Sequence, residues 1–418
     1  MRPVVARPDG ELEVLGGFRP AARSGGRIVG MEALELIPLP EGTTLMHLPG
    51  RRAIALDAKN RPVDVEADLL PVAAVLPVGH LRTLLPASRP LPGSRRLPLY
   101  GYAAVVEHHD ELRVAALNTD GFGWWEPARY TGTGLPEAID AARQALPGNR
   151  LVEHLAICAT ELRCYTAQNT FLRRYEGALP ASPACNADCL GCISLQSDGQ
   201  APAPQPRMRF APTADELAGM AGFHLGGVDA GIVSFGQGCE GEPLTRDDVL
   251  ADAVASIRRA HPSATVHVNT NGSRPRTLQR LIDAGCNSVR ISAISFRDPV
   301  FRAYYRPVGY SIDDVVECGR VMSRAGGQVC VNLLTFPGIT DSSTELERTV
   351  EAVMEMGAAQ IQWRSLNCDH DWLVDVLTAR GLLPDDGIGL ASAYQHLVER
   401  LPGVTHGNFT RPVAMALD

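Results

Sequence analysis

From about residue 170 onward, strand and helix signals alternate along the chain. That order constrains the fold more than any other feature, because parallel strands cannot be joined by tight turns and need crossovers of roughly a dozen residues or more. Strands are expected at Ile232–Phe235, Thr265–Thr270, Ser288–Ser292, Val329–Leu334 and Gln360–Trp363, with an earlier one ending just before Cys185. The segments between them read as helices. Thr213 with Glu216, and Ser342 with Glu345, have capping-box spacing. Leu250, Ala253, Val254 and Ile257 fall at i, i+3, i+4 and i+7, and Leu278, Leu281 and Ile282 repeat the stripe. About six β/α units result.

The strands carry a second constraint. Buried parallel strands usually read as continuous Val/Ile/Leu, but four of these alternate. Val266 and Val268 interleave with His267 and Asn269; Val289 and Ile291 with Ser288, Arg290 and Ser292. Val329, Val331 and Leu333 interleave with Cys330 and Asn332; Ile361 and Trp363 with Gln360, Gln362 and Arg364. Each strand therefore has one polar face. With helices covering the apolar faces, the polar faces line a lumen, where buried polar groups need partners. A polar ligand with water is one source of partners; an antiparallel sheet with a wet face is the alternative. Arg290, Asn332, Gln362 and Arg364 are the candidate substrate contacts, with the two arginines suited to a carboxylate or phosphate.

Residues 1–165 read as β-rich, with apolar runs at Leu36–Leu39, Ala53–Leu56, Pro71–Val78, Tyr102–Val106 and Leu112–Leu117. His108–Asp110 looks like a hairpin turn, Pro86–Pro98 a loop, and Pro136–Leu146 a helix. Residues 166–367 form the alternating region, interrupted by a Pro-rich surface loop at 202–212. Residues 368–418 form a helical tail with a helix near Leu390–Leu401. The fold class is α/β: a partial (β/α)6 barrel with a β-rich N-terminal domain of unassigned role. The net charge of −8 and the absence of a Lys/Arg run argue against nucleic acid as the main partner. No apolar stretch reaches the roughly 18 residues of a membrane span, and no leader is evident at Met1–Gly10. A cytoplasmic location is expected, where the ten cysteines are thiols or metal ligands.

Cys185-Asn-Ala-Asp-Cys189-Leu-Gly-Cys192 puts three thiols in eight residues. Such a loop can wrap one face of a [4Fe–4S] cube and leave the fourth iron open. Zinc is the rival, but a structural zinc site wants a fourth Cys or His nearby, and the next histidine is His224.

The C-x3-C-x2-C spacing resembles the signature of the radical S-adenosylmethionine (SAM) superfamily. Gly241-Glu242-Pro243 resembles that family's Gly-Gly-Glu-Pro motif after the second strand, with Glu240 replacing the first glycine. Asn269-Thr270-Asn271-Gly272 resembles its Thr-Asn-Gly turn, and Ser292 sits where a polar strand-end residue touches the ribose. Asn332 to Glu345 resembles the fifth-strand region of molybdenum-cofactor radical cyclases and their relatives. The resemblance covers about residues 175–367. It implies an enzyme that binds a [4Fe–4S] cluster through Cys185, Cys189 and Cys192, cleaves SAM reductively to a 5′-deoxyadenosyl radical, and abstracts a substrate hydrogen. Gly241, Glu242, Asn269, Asn271 and Ser292 would then contact SAM, with Glu242 taking the methionyl amine. A flavodoxin or ferredoxin would supply electrons. A polar small molecule is the first substrate class; a peptide or a glycyl-radical enzyme is the second, and a non-catalytic Fe–S or zinc sensor a third reading. Gly191 stands where the family often has an aromatic shielding adenine, so another group is needed, with Trp363 a candidate. Cys239 and Cys368 are candidates for returning a hydrogen atom or holding a second cluster, as is Cys330, while Cys158, Cys164, Cys286 and Cys318 read as core residues.

Overall fold

The computed structural model describes residues 1–120, 133–228 and 231–413. The alternating region forms a parallel sheet: β1 (Glu176–Ala178), β2 (Ile232–Phe235), β3 (Thr265–Thr270), β4 (Ser288–Ala293), β5 (Gln328–Thr335), β6 (Gln360–Ser365) and β7 (Thr405–Gly407). The strands pair in sequence order, each parallel to the next. Among the described residues β1 and β7 do not pair, so the sheet is an open, partial barrel. The crossovers are α4 (Ala214–Leu225), α5 (Asp247–Ala260), α6 (Pro275–Ala284), α7 (Asp298–Tyr305) with α8 (Ile312–Arg324), and α9 (Ser343–Met356).

Local chemistry explains where helices begin. At α4 both halves of the capping box form: Thr213 Oγ1 accepts from the Glu216 amide (3.2 Å) and Glu216 accepts from the Thr213 amide (2.8 Å). The expected box at Ser342 is only half made. Ser342 Oγ accepts from the Glu345 amide, but the Glu345 carboxylate is drawn to Ser295 (2.7 Å) and Arg297 (3.3 Å). An arginine and a hydroxyl offered by the loop after β4 outcompete the cap.

The segment expected as a helical tail does more. α10 (His370–Thr378) and α11 (Leu390–Arg400) are followed by β7, which extends the sheet beyond six units. A three-residue strand has no periodicity for a sequence to show. At the other end, α1 (Leu135–Ala145), α2 (Arg150–Thr160) and α3 (Tyr165–Leu172) bury Leu135, Ile139, Leu155 and Phe171 in the same core as the barrel strands. The expected boundary at residue 165 thus falls inside one helical packing.

The N-terminal region contains an eight-stranded sheet and two three-stranded sheets. Tyr102–His108 and Glu111–Asn118 form the expected hairpin, with His109 and Asp110 at φ of 56° and 61°, the double left-handed conformation that matches strand twist in a two-residue loop. The Pro86–Pro98 loop instead contributes an edge strand, Ser88–Pro90, paired with Arg51–Ala53; Pro90 ends the strand, as a residue without an N–H must. This module sits on the C-terminal ends of β5 and β6. Arg82, fully buried, donates to the carbonyls of Tyr102, Thr335 and Leu366, and its amide donates to Ser365 Oγ. Burial, with no carboxylate bonded to it, pulls the Arg82 pKa down to about 9. Arg51 forms buried ion pairs with Asp369 (2.7 Å) and Asp371 (3.0 Å) just beyond β6.

Candidate active site

A cavity of about 630 Å³ opens at the C-terminal ends of the strands and is roofed by Val75–Val78, His80, Tyr100 and Gly101 of the N-terminal module. Its volume suits a small molecule, for which sites commonly span about 300–1,000 Å³, and its place is the one that parallel barrels use for chemistry.

The cysteine loop lies along one wall, and Cys185, Cys189 and Cys192 all face the cavity. Backbone bonds fix it: the Asp188 amide donates to Tyr305 O (3.1 Å), Leu190 to Tyr304 O (3.0 Å) and Cys192 to Cys189 O (3.2 Å), while Asn186 O accepts from Val308. Leu190 is buried as an anchor. Burial pushes the Cys185 thiol up to about 11 and raises Cys189 well above the ordinary thiol range, with neighbouring negative groups adding to both. Positive iron reverses that preference, since a coordinating thiol is deprotonated outright. The spacing of the sulfurs fits a cube better than one ion. They are not all within 4.8 Å of one another, whereas ligands of one zinc at about 2.3 Å per Zn–S bond lie at most about 4.6 Å apart.

Sequence reasoning missed two neighbours of that loop. Ser194 Oγ lies 3.4 Å from Cys192 Sγ, and Arg207 Nη2 lies 3.6 Å from it. Arg207 comes from the Pro-rich insertion, where no pattern marks it.

The second wall is the Gly-Glu-Pro turn. Gly241 and Glu242 run against the chain just before Cys185, their amides donating to Ser182 O and Ala184 O. A Cβ on Gly241 would lie 2.0 Å from Ala184 O, so only glycine fits. Glu242 is buried and caps the short turn that follows: its carboxylate accepts from Leu244 N (3.1 Å), Thr270 Oγ1 (2.5 Å) and Asn271 N (2.8 Å). A carboxylate has about four acceptor sites, so one remains. Burial raises its pKa to about 7 against the pull of those donors. Glu240, standing where the motif has glycine, is a staple: its carboxylate accepts from the amides of Ala181, Ser182, Gly236 and Gln237. It ties the segment before the cysteines to the end of β2. Burial pushes its pKa up to about 8.

Asn271 Nδ2 donates to Asn186 Oδ1 in the cysteine loop (2.9 Å), and Asn271 Oδ1 accepts from Ser273 N. Asn269 Nδ2 donates to Phe235 O, and its Oδ1 lies 3.1 Å from His267 Nε2. On the floor, Ser292 Oγ accepts from Asn332 Nδ2 (2.9 Å). Arg290 donates to Gln362 Oε1 (2.8 Å) and Arg364 to Asn408 O (2.6 Å). Asn269, Arg290, Ser292, Asn332 and Arg364 line the cavity; Gln362 is wholly buried and holds Arg290 from behind. Two buried polar atoms here lack a partner, Arg290 Nε and Asn332 Oδ1.

Several expected residues lie elsewhere. Trp363 is buried on the opposite face, donating from Nε1 to His406 Nδ1 and packing on Tyr394, so it cannot shield an adenine. The strand alternation already placed it with Ile361. At Gly191 a Cβ would meet Asn367 O at 2.6 Å and Tyr304 Oη at 2.7 Å; no side chain fits, and Tyr304 lines the cavity instead. Cys239 and Cys368 are not on the cavity wall. Cys239 Sγ lies 3.2 Å from His154 Nε2, and Cys368 donates to Asp369 O. Neither is placed to return a hydrogen atom. Cys330 is buried against Gln360.

Residues 179–351 match the model of the Radical SAM superfamily. This segment is a radical SAM domain, and it covers less than half of the chain. A GTP 3′,8-cyclase of Paenarthrobacter nicotinovorans is 26% identical over 257 residues, 59% of this chain and 64% of that protein; the chain thus spans just under two thirds of that curated relative. Similar solved structures include HydG, a maturase of the [FeFe]-hydrogenase (14% identity, 66% of this chain and 63% of that one, TM-score 0.38). Another is Streptococcus suis SuiB bound to the precursor peptide SuiA (13% identity, 59% and 55%, TM-score 0.35). The cofactors of that family are a [4Fe–4S] cluster and SAM. The described residues include no helix long and apolar enough to cross a membrane.

Proposed function

We propose that this protein cleaves SAM reductively and directs the resulting radical chemistry onto a polar, acidic small molecule held between the barrel floor and the N-terminal module. The observation that carries this reading is a single cavity walled by the three cysteines, the Glu242 turn and a polar floor that includes Arg290, Asn332 and Arg364. When bound, the cluster and SAM supply the hydrogen-abstracting radical, and the protein's part is to bind, orient and exclude water. Cys185, Cys189 and Cys192 hold the cluster and leave one iron for SAM. The remaining acceptor site of Glu242 takes the methionyl amine. Asn269 and Asn271 border the Glu242 turn on the SAM side. The Ser292 hydroxyl, already accepting from Asn332, is left to donate to SAM. Arg290, Asn332 and Arg364, which line the floor, are the side chains offered to the substrate.

Charge favours an acidic group: Arg290 and Arg364 both reach the cavity, and burial followed by repulsion from Arg290 pulls the Arg364 pKa down to about 10. Glu176 and Asp120 are the acidic groups acting on Arg364. Similarity to a GTP 3′,8-cyclase makes phosphorylated nucleosides the first substrates to assay. A reduced flavodoxin or ferredoxin is the proposed electron source.

The test is anaerobic. With a strong reductant the reconstituted protein should form 5′-deoxyadenosine and methionine slowly, and faster with substrate. Glu242→Gln keeps an acceptor oxygen for the turn but loses the charge; SAM affinity should fall about 10- to 100-fold, the effect of one charged hydrogen bond, with iron content unchanged. Affinity equal to wild type would remove Glu242 from the SAM site. Arg364→Lys can still donate to Asn408 O but cannot present a planar fork. It should leave uncoupled cleavage near wild type and lower product formation on the order of a hundredfold, as misplacement by about 1 Å does. Equal loss of both would mean that Arg364 serves the fold rather than the substrate.

A further inference from the structure

Away from the cavity, the described residues contain one cluster of metal-ligating side chains that the radical chemistry does not use. His154 and Cys158 lie one turn apart on α2, at i and i+4, and so share a helix face. Cys239 approaches that face from the loop after β2. His154 Nε2 is 3.2 Å from Cys239 Sγ and 3.9 Å from Cys158 Sγ, and the three ligand atoms all lie within 4.8 Å of one another. Both thiols are buried, and the Phe210 ring meets His154 edge-on.

Those distances are within a few tenths of an ångström of what a tetrahedral ion imposes. With Zn–S at about 2.3 Å and Zn–N at about 2.0–2.1 Å, neighbouring N and S ligands sit about 3.6 Å apart. The observed separations fall on either side of that value. Without an ion the three side chains are held only by weak thiol–imidazole hydrogen bonds, at 3.2 and 3.9 Å. A buried cysteine in a core is normally surrounded by apolar atoms.

We infer that His154, Cys158 and Cys239 bind a zinc-class ion separate from the iron–sulfur cluster. The ion takes Nε2 and two thiolates, with two thiol protons released on binding. Its fourth position is open to water. Histidine and thiolate ligands select zinc over the hard, oxygen-seeking Mg²⁺ and Ca²⁺. The consequence is mechanical. Cys239 O accepts from Met208 N, and the next residue is Glu240, whose carboxylate staples the ends of β2 and the pre-cysteine segment. The ion would pin α2 to the loop that sets Gly241 and Glu242, with no contact to SAM. Its ligands are positioning residues.

The inference does not depend on the cluster assignment, and the experiment separates the two. Full-length protein in which Cys185, Cys189 and Cys192 are all alanine is titrated anaerobically with Co²⁺ alone, then with Zn²⁺ alone. The expected result is one equivalent of Co²⁺ with the thiolate charge-transfer and visible bands of a tetrahedral site, displaced by one equivalent of Zn²⁺. Adding Cys158→Ser or His154→Gln should remove those bands while circular dichroism stays native. The wild-type protein, reconstituted with iron, should retain one zinc per chain that Cys158→Ser loses without losing iron. Absence of a stoichiometric tetrahedral Co²⁺ spectrum would overturn the inference, as would the same spectrum in Cys158→Ser and His154→Gln. So would a Cys158–Cys239 disulfide in protein trapped by alkylation under reducing conditions.

Discussion

Replacing Cys189 by alanine is expected to abolish iron–sulfur absorbance and reduce SAM cleavage to the assay background, while the protein stays folded. Cys189 is the middle cysteine of a loop whose backbone is already pinned on both sides, by the Asp188 amide on Tyr305 O and the Leu190 amide on Tyr304 O. Those bonds and the buried Leu190 side chain do not involve the thiol, so the loop should hold its path without it. What disappears is the third thiolate that lets a cube keep one iron open. Iron and acid-labile sulfide analysis after anaerobic reconstitution provides the measurement. Cys330→Ala is the matched control, since that thiol is buried against Gln360 and away from the cysteine loop. If iron is retained in Cys189→Ala and lost in Cys330→Ala, the ligand assignment is wrong. Arg207 gives a subtler readout at the same loop. Its guanidinium lies 3.6 Å from Cys192 Sγ, and donors to cluster sulfurs tune potential. Arg207→Met should lower the cluster's reduction potential, as read by an anaerobic redox titration, with the iron content unchanged.

The barrel was legible because periodicity in parallel strands is strong: the bounds of β2 and β3 are those the sequence suggests. Alternation also assigned faces correctly. Asn269, Arg290, Asn332 and Arg364 turn to the cavity, and Trp363 goes with Ile361 to the other side. What alternation cannot supply is the partner of each polar group. Gln362 lies on the polar face, yet it is spent on Arg290 and never reaches the cavity. The pairing depends on register between β4 and β6, two strands that are not neighbours. Glu240 shows the same limit: the sequence shows only that it stands where the motif has glycine, whereas the fold makes it the acceptor for four amides. The His154, Cys158 and Cys239 cluster joins residues 85 positions apart. Neither α2 nor His154 was marked by any sequence pattern, and Cys158 read as a core residue.

Arg51→Ala is expected to destabilise the protein by about 3–5 kcal/mol, the usual effect of removing one partner from a buried ion pair. Arg51 is 3% exposed and lies between Asp369 and Asp371, which are 1% and 7% exposed. Without it, two carboxylates remain buried and close together. Arg23 still reaches Asp371, so that charge keeps one partner. Asp369 keeps only neutral donors: the Leu97 amide (2.7 Å) and, as the cap of α10, the Trp372 amide (3.0 Å). Most of the effect should therefore come through Asp369, and the double variant Arg51→Met, Asp369→Asn should regain part of the loss by removing the stranded charge. The cost also has a place. Arg51 joins the N-terminal module to the segment after β6, and Tyr100 and Gly101, a few residues beyond Leu97, form part of the cavity roof. A loosened roof admits water and lets radical chemistry escape its substrate. Arg51→Ala should therefore lower the urea midpoint and also raise the ratio of 5′-deoxyadenosine to product. A midpoint within about 0.5 kcal/mol of wild type, the range of neutral surface changes, would show that the ion pair does not hold the module in place. A lowered midpoint with unchanged coupling would show that the roof does not depend on it.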